Sequence, residues 1–235
     1  MTVGTEDTHG QEGGTLASVV YDRMRSDILN GELGPGERLR ADFLRQRYAV
    51  GNSPVREALN RLSADGLVVR EDQKGFRVSA VSKDDMLELA KTRNWIEEIA
   101  LVQSIEQGGV AWEEDLVLAF HRLTRAIRDS DATDYAQDAR WEQCHRAFHM
   151  TLIGACASRW LLQFAGQLTD QSDRYWKLAG ITNTDPGNDI DEHRAIMEAA
   201  IDRRADDAVT LLQNHCQKVA DLVLESKSRF FSGHA

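Results

Sequence analysis

The sequence predicts a mainly α-helical chain: an N-terminal winged helix-turn-helix, then a C-terminal all-α bundle of six to seven helices. Three observations lead there. Residues 41–80 carry two short helical periodicities followed by two short β-type runs. From residue 83 onward apolar residues recur at helical spacing and no strand pattern is visible. At 42% hydrophobic and 28% charged residues the composition is globular, and no apolar run approaches the roughly 20 residues that span a bilayer.

Residues 1–14 are polar, Gly-rich and acidic, which reads as a disordered tail. They lack the basic and apolar regions of a signal peptide, so a cytoplasmic protein with no membrane attachment is expected. Cys144, Cys156 and Cys216 form no CxxC pair and read as reduced thiols.

Residues 15–80 form the first domain. A helix over residues 16–30 carries Leu16, Val19, Val20, Met24, Ile28 and Leu29, and Gly31 and Gly34-Pro35-Gly36 break it. Phe43, Leu44 and Tyr48 give a short helix an apolar face. Ser53-Pro54 marks the next helix start, with Ser53 as cap and Pro54 in the first turn. Val55, Leu59 and Leu62 then form a buried face, and Asp65-Gly66 ends the helix. Leu67-Val68-Val69 and Phe76-Arg77-Val78 pair as a wing around a turn through Asp72, Gln73, Lys74 and Gly75. Helix, tight turn, helix and wing is an arrangement that reads DNA.

The net charge of -10 at first opposes a nucleic-acid partner, but its distribution decides. Residues 15–80 hold about 11 Lys+Arg against about 9 Asp+Glu, and the acidic excess lies elsewhere. Local positive charge facing phosphate matters more than the total.

A second domain spans residues 84–230. Helices are expected near 83–107, 112–129, 133–155, 158–179, 187–203 and 205–230, with Ser82 capping the first. Leu116, Leu118, Phe120 and Leu123 mark one apolar stripe; Leu161, Phe164, Leu168 and Tyr175 mark another. His145 and His149 stand one turn apart on the side that carries Trp141, Phe148 and Leu152. His193 lies with Ile190 and Met197, and His215 with Leu211, Leu212 and Val219. Three helices thus send four imidazoles inward, where unpaired polar groups are costly. Either each finds a hydrogen-bond partner, or one divalent metal satisfies several at once. His9, His121 and His234 read as surface residues. Arg93 and Glu97 form either a semi-buried ion pair or, through Arg93, a bidentate site for a carboxylate effector. Gln143, Gln171, Arg174 and Tyr175 are further candidates for a pocket wall. A metalloenzyme is the alternative of a different class, but no HExxH or similar motif supports it.

The stretch PVREALNRLSADGLV resembles the winged helix-turn-helix of the GntR family of bacterial repressors, a resemblance covering about residues 16–80. The six helices behind it resemble the FadR subfamily, whose effector domain is called FCD. That likeness rests on Arg93 to Glu97, the HRAFH run at 145–149, Glu192-His193-Arg194 and Asn214-His215. It implies a homodimer on a palindromic double-stranded operator, and a small organic acid bound beside a divalent metal as effector. His149, His193 and His215 match three family ligand positions. His145 stands where the family usually carries Asp; an imidazole there makes the site less anionic and favours zinc or nickel over calcium or magnesium.

The likeness also implies DNA contacts. Ser53 and Arg56 match contacting positions, Arg40 a basic position before the second helix, and Lys74 and Gly75 the wing tip. Where family members usually carry Ser/Thr-Arg, this chain has Gly51-Asn52, and Asn52 can pair with adenine. Arg45, Arg47 and Arg61 read as a solvated helix face.

Overall fold

A computed structural model describes residues 15–130, 138–181 and 185–231. The acidic tail, His9 and His234 lie outside the described residues. The chain divides into two compact units between Ala80 and Val81.

The first unit contains α1 (Leu16–Leu29), β1 (Arg38–Leu39), α2 (Ala41–Tyr48), α3 (Asn52–Ala64), β2 (Val68–Glu71) and β3 (Gly75–Val78). Its core joins Val20, Met24 and Ile28 of α1 to Leu44 and Tyr48 of α2 and to Val55, Leu59 and Leu62 of α3. Each such side chain stabilises the unit by about 1.5–3 kcal/mol through burial. Leu16, Val19 and Phe43 depart from expectation, since all three are exposed. Phe43 lies one position from Leu44, about 100° round the helix, and only one of the two can face the core.

Two local features differ from the sequence reading. α3 begins at Asn52, with Gly51 as its cap, so Ser53 sits inside the first turn rather than capping it. The wing has a third strand: the sheet order is β1-β3-β2, antiparallel throughout, with Arg38 opposite Arg77 and Leu39 opposite Phe76. A two-residue strand carries no periodicity to read. Between α2 and α3, Ala49 adopts the left-handed conformation (φ 53°), which closes α2 tightly.

The second unit is helical: α4 (Lys83–Gln107), α5 (Val110–Asp129), α6 (Ala139–Leu152), α7 (Arg159–Ala179), α8 (Pro186–Ile201) and α9 (Ala205–Glu225). Ser82, Asp138, Ser158 and Asp185 cap α4, α6, α7 and α8 through their side chains. Its main core gathers Leu101, Leu116, Leu123, Phe148, Leu152, Ala165, Ile196 and Leu212. Leu118 and Phe164 fall off their predicted stripes and are exposed. No described helix is long and apolar enough to cross a membrane.

The α4–α5 corner is tight. Arg203 donates to the Ile105 and Gly108 carbonyls at 2.6 and 2.7 Å, satisfying acceptors that the end of α4 leaves open. A Cβ on Gly108 would lie 2.6 Å from the Ser104 carbonyl oxygen and run into the Trp112 ring. Gly108→Ala should therefore destabilise the unit by about 1–3 kcal/mol, measured by chemical denaturation; an unchanged midpoint would mean the corner is slack.

Candidate nucleic-acid interface and metal centre

On α3, Asn52, Arg56 and Asn60 recur every four residues and are exposed, so they share one face. That face and the wing form the two sides of a groove. Arg40, Asn52, Arg56, Lys74 and Gly75 all line it, together with Arg38 and Arg70. Five cations stand here against the acids Asp42 and Glu71, so the groove is positive although the chain as a whole is acidic. Ser53 is exposed but does not line the groove. Arg38 fixes the wing tip by donating from Nε and Nη2 to the Lys74 carbonyl at 3.2 and 2.8 Å. Gln73 and Gly75 reverse the chain there with φ of 60° and 89°.

The other cations of this unit are engaged internally. Arg47 donates to Asp27 at 2.8 Å, and Arg61 lies 4.0 Å over the Tyr21 ring. Arg45 pairs with Asp42 across one turn. Arg70 was not singled out from sequence; alternation along Val68–Glu71, which turns Val68 inward and Val69 outward, carried only a weak signal for its face.

In the second unit, α6 supplies His145 and His149, α8 supplies His193 and α9 supplies His215. One ring nitrogen from each lies within 4.8 Å of the others. His149, His193 and His215 are buried, while His145 is half-buried and stacks on Trp141 at 4.7 Å between ring centroids. His193 Nδ1–H donates to the Asp189 carbonyl at 2.7 Å, and His215 Nδ1–H to Glu192 Oε2 at 3.0 Å. These bonds fix both tautomers, leaving the Nε2 lone pairs free. Burial, then the neighbouring imidazoles, push His145 and His149 well below the usual histidine range. Burial also lowers His215, against the pull of Glu192. Burial thus favours the neutral form of His145, His149 and His215.

Neutrality exposes a conflict. His149 Nε2 lies 3.2 Å from His145 Nε2 and 3.3 Å from His193 Nε2. A neutral Nε2 either donates one proton or offers one lone pair, so it cannot complete both contacts well. One cation at the meeting point would accept all these lone pairs, so the donor set fits a metal. Asp189, Glu192 and His215 form a second, overlapping group of possible ligands.

Beside the histidines lies a cavity of about 210 Å³. His145 and His215 open onto it from one side; Arg93, Ser172, Asp173 and Trp176 line it from α4 and α7. Arg93 is 8% exposed and Glu97 4%; the guanidinium Nε donates to Glu97 at 2.7 Å and Nη1 to Ser172 at 3.2 Å. Arg93 thus forms the ion pair that one sequence reading expects, and it also lines the cavity. Burial pushes Asp173 up to about 6, against Arg93 and Arg146. Burial likewise raises Cys216 to about 12, and its thiol lies 3.6 Å from Glu97.

The matches to known proteins follow this division. Residues 16–78 match the model described as bacterial regulatory proteins, gntR family, and residues 88–218 match the FCD domain. The chain belongs to the GntR family. It is a bacterial DNA-binding transcription regulator with an FCD domain, and its relatives are regulators rather than enzymes. The uncharacterized HTH-type transcriptional regulator BphR of Paraburkholderia xenovorans is 37% identical, over 89% of this chain and 85% of that protein. The HTH-type transcriptional repressor GlaR of Escherichia coli is 33% identical, over 83% and 90%. Among solved structures, E. coli McbR/YncC superposes with a TM-score of 0.72 at 20% identity, covering 90% of this chain and 98% of that one.

Within the FCD domain, the other suggested pocket residues lie elsewhere. Gln143, Gln171, Arg174 and Tyr175 do not line the cavity. Arg174 is 1% exposed, and the Tyr175 hydroxyl donates to Asp85 and accepts from Ser82 N, beside the start of α4. The missed wall residues Ser172 and Trp176 stand one turn apart on α7, on a face that includes a serine and so did not read as a stripe.

Proposed function

We propose that this GntR-family chain is a cytoplasmic repressor that binds a palindromic operator as a homodimer. A small carboxylate, held beside a divalent metal in the FCD domain, releases it. The observation that carries this reading is the convergence of four imidazoles at the edge of a cavity that Arg93 also lines. The repressor sign follows the description of GlaR.

His145, His149, His193 and His215 would hold the ion, and an all-imidazole set selects zinc or nickel. When bound, it would supply a Lewis-acidic point for a carboxylate. Arg93, on the same cavity wall, would orient the acid. Tyr175 and Arg93 tie the cavity helices to α4, whose first turn follows the junction at Val81. A ligand can shift the operator equilibrium only through unequal affinity for two arrangements.

In the head, Arg40, Lys74 and Gly75 hold backbone phosphates, Asn52 and Arg56 present groups to bases, and Ser53, exposed outside the groove, contacts the DNA backbone. Arg56→Ala should weaken operator binding by about 1–3 kcal/mol. Lys74→Ala should weaken binding on all sequences alike and flatten the salt dependence by about one counterion. Retention assays across salt decide it: unaltered binding in both variants would move the interface elsewhere. The test of the whole reading is operator retention by the metal-loaded protein, with and without a panel of organic acids. Retention unchanged across the panel would leave a structural metal and no effector.

A further inference from the structure

Resting on the acid-effector reading above, we infer that the FCD cavity takes a monocarboxylate with an aromatic body, not a dicarboxylate, hydroxy acid or sugar acid. Charge comes first. Lys177 is held by Glu142 at 2.7 Å, and Lys218 by Glu192 at 2.6 Å. Arg93 gives Nε to Glu97 and Nη1 to Ser172, leaving Nη2 without a hydrogen bond among the described residues. Apart from the metal, one cationic donor is thus open, which suits one carboxylate held between Arg93 and the ion. Besides His145, His215 and Cys216, the other ionisable groups on the wall are carboxylic acids, among them Asp173, Asp185 and Asp189, which repel a second carboxylate.

The remaining wall is apolar and comes from three helices: Trp141 of α6, Trp176 of α7, and Val219 and Leu222 of α9. Hydroxyl groups set against Val219 and Leu222 lose water and gain no partner there, which disfavours sugar and hydroxy acids. A flat ring gains by burial and by edge or offset contact with indole. The Trp176 Nε1–H is buried with no hydrogen-bond partner among the described residues, one donor that a carboxylate oxygen of the ligand would meet. Size agrees. A cavity of about 150 Å³ holds benzene, and this one of about 210 Å³ leaves room for a short acid side chain.

The test uses the full chain as purified with its metal, and isothermal titration with phenylacetate, succinate, lactate and phenethylamine. Phenylacetate should bind at least tenfold more tightly than the other three. Trp176→Leu should weaken phenylacetate about fivefold to tenfold with metal content unchanged. Leu222→Asn, at a half-buried position, should weaken it in the same direction and serves if Trp176→Leu misfolds. Succinate or lactate binding as tightly as phenylacetate overturns the aromatic monocarboxylate and leaves the acid site standing. Phenethylamine binding more tightly overturns both the ligand class and the role of Arg93. Binding of none of the four, with metal present, overturns the aromatic ligand and the acid-effector reading together.

Discussion

Replacing His193 with alanine should reduce metal content from about one ion per chain to near none, and lower the melting temperature by about 5–10 °C. The size follows from mass action: a metal present at about 100 times its dissociation constant stabilises the folded state by about 2.7 kcal/mol. In a domain of this size each kcal/mol moves the midpoint by about 2–4 °C. His193 is the strongest case because it is fully buried and its Nδ1 is already committed to Asp189. His149→Ala and His215→Ala should behave alike. His145→Asp should keep the ion, since a carboxylate there is also a ligand. A chelator separates lost metal from lost packing: it should lower the midpoint of wild type and leave that of His193→Ala where it is. Full metal content in a His193→Ala, His215→Ala double variant, by elemental analysis of protein purified without chelator, would remove the site.

What could be read from sequence, and what could not, divides by range. The face of Val55, Leu59 and Leu62 was legible because helical period is local, and so was the pairing of His145 with His149 one turn away. The inward direction of His193 and His215 was legible from the apolar neighbours on their own helices. Their meeting point was not, since it depends on how α6, α8 and α9 pack. The bond from His215 to Glu192 joins two helices and leaves no spacing to recognise. Ser172 and Trp176 were missed for the same reason: they are cavity residues only because α7 lies against α4 and α9. Gly51 took the capping place from Ser53 because the cap is set by extended backbone two residues earlier, with no side-chain oxygen required. Exposed Phe43 and Phe164 show the opposite failure, in which an apolar side chain near a stripe is not on it.

Arg93→Met alone should lower stability by about 3–5 kcal/mol and also abolish acid-induced release from DNA, so by itself it cannot separate pairing from recognition. The cause is burial. With Glu97 only 4% exposed, removing its partner strands a carboxylate in a low-dielectric site. Glu97 also lies within reach of the Cys216 thiol, but burial holds that thiol protonated, and a neutral S–H is a weak replacement for a guanidinium. The informative variant therefore removes both charges. Arg93→Met with Glu97→Leu replaces a buried ion pair by apolar groups of similar volume, a change that is often neutral or stabilising. Its melting temperature should return to within about 2–4 °C of wild type, as expected for a residual change of about 1 kcal/mol. The His cluster keeps its own partners, Asp189 and Glu192, so metal content should be unchanged. Operator binding without acid should also be unchanged, since the reading head is untouched. Release by acid should still be lost, because no cation remains beside the metal to hold the carboxylate. The paired measurement is the melting temperature and the acid concentration for half-release, on wild type, the single variant and the double variant. Recovery of stability without recovery of release assigns Arg93 to the effector. Recovery of both would make the Arg93–Glu97 pair structural, and the acid would then have to be held by Ser172 and the metal alone.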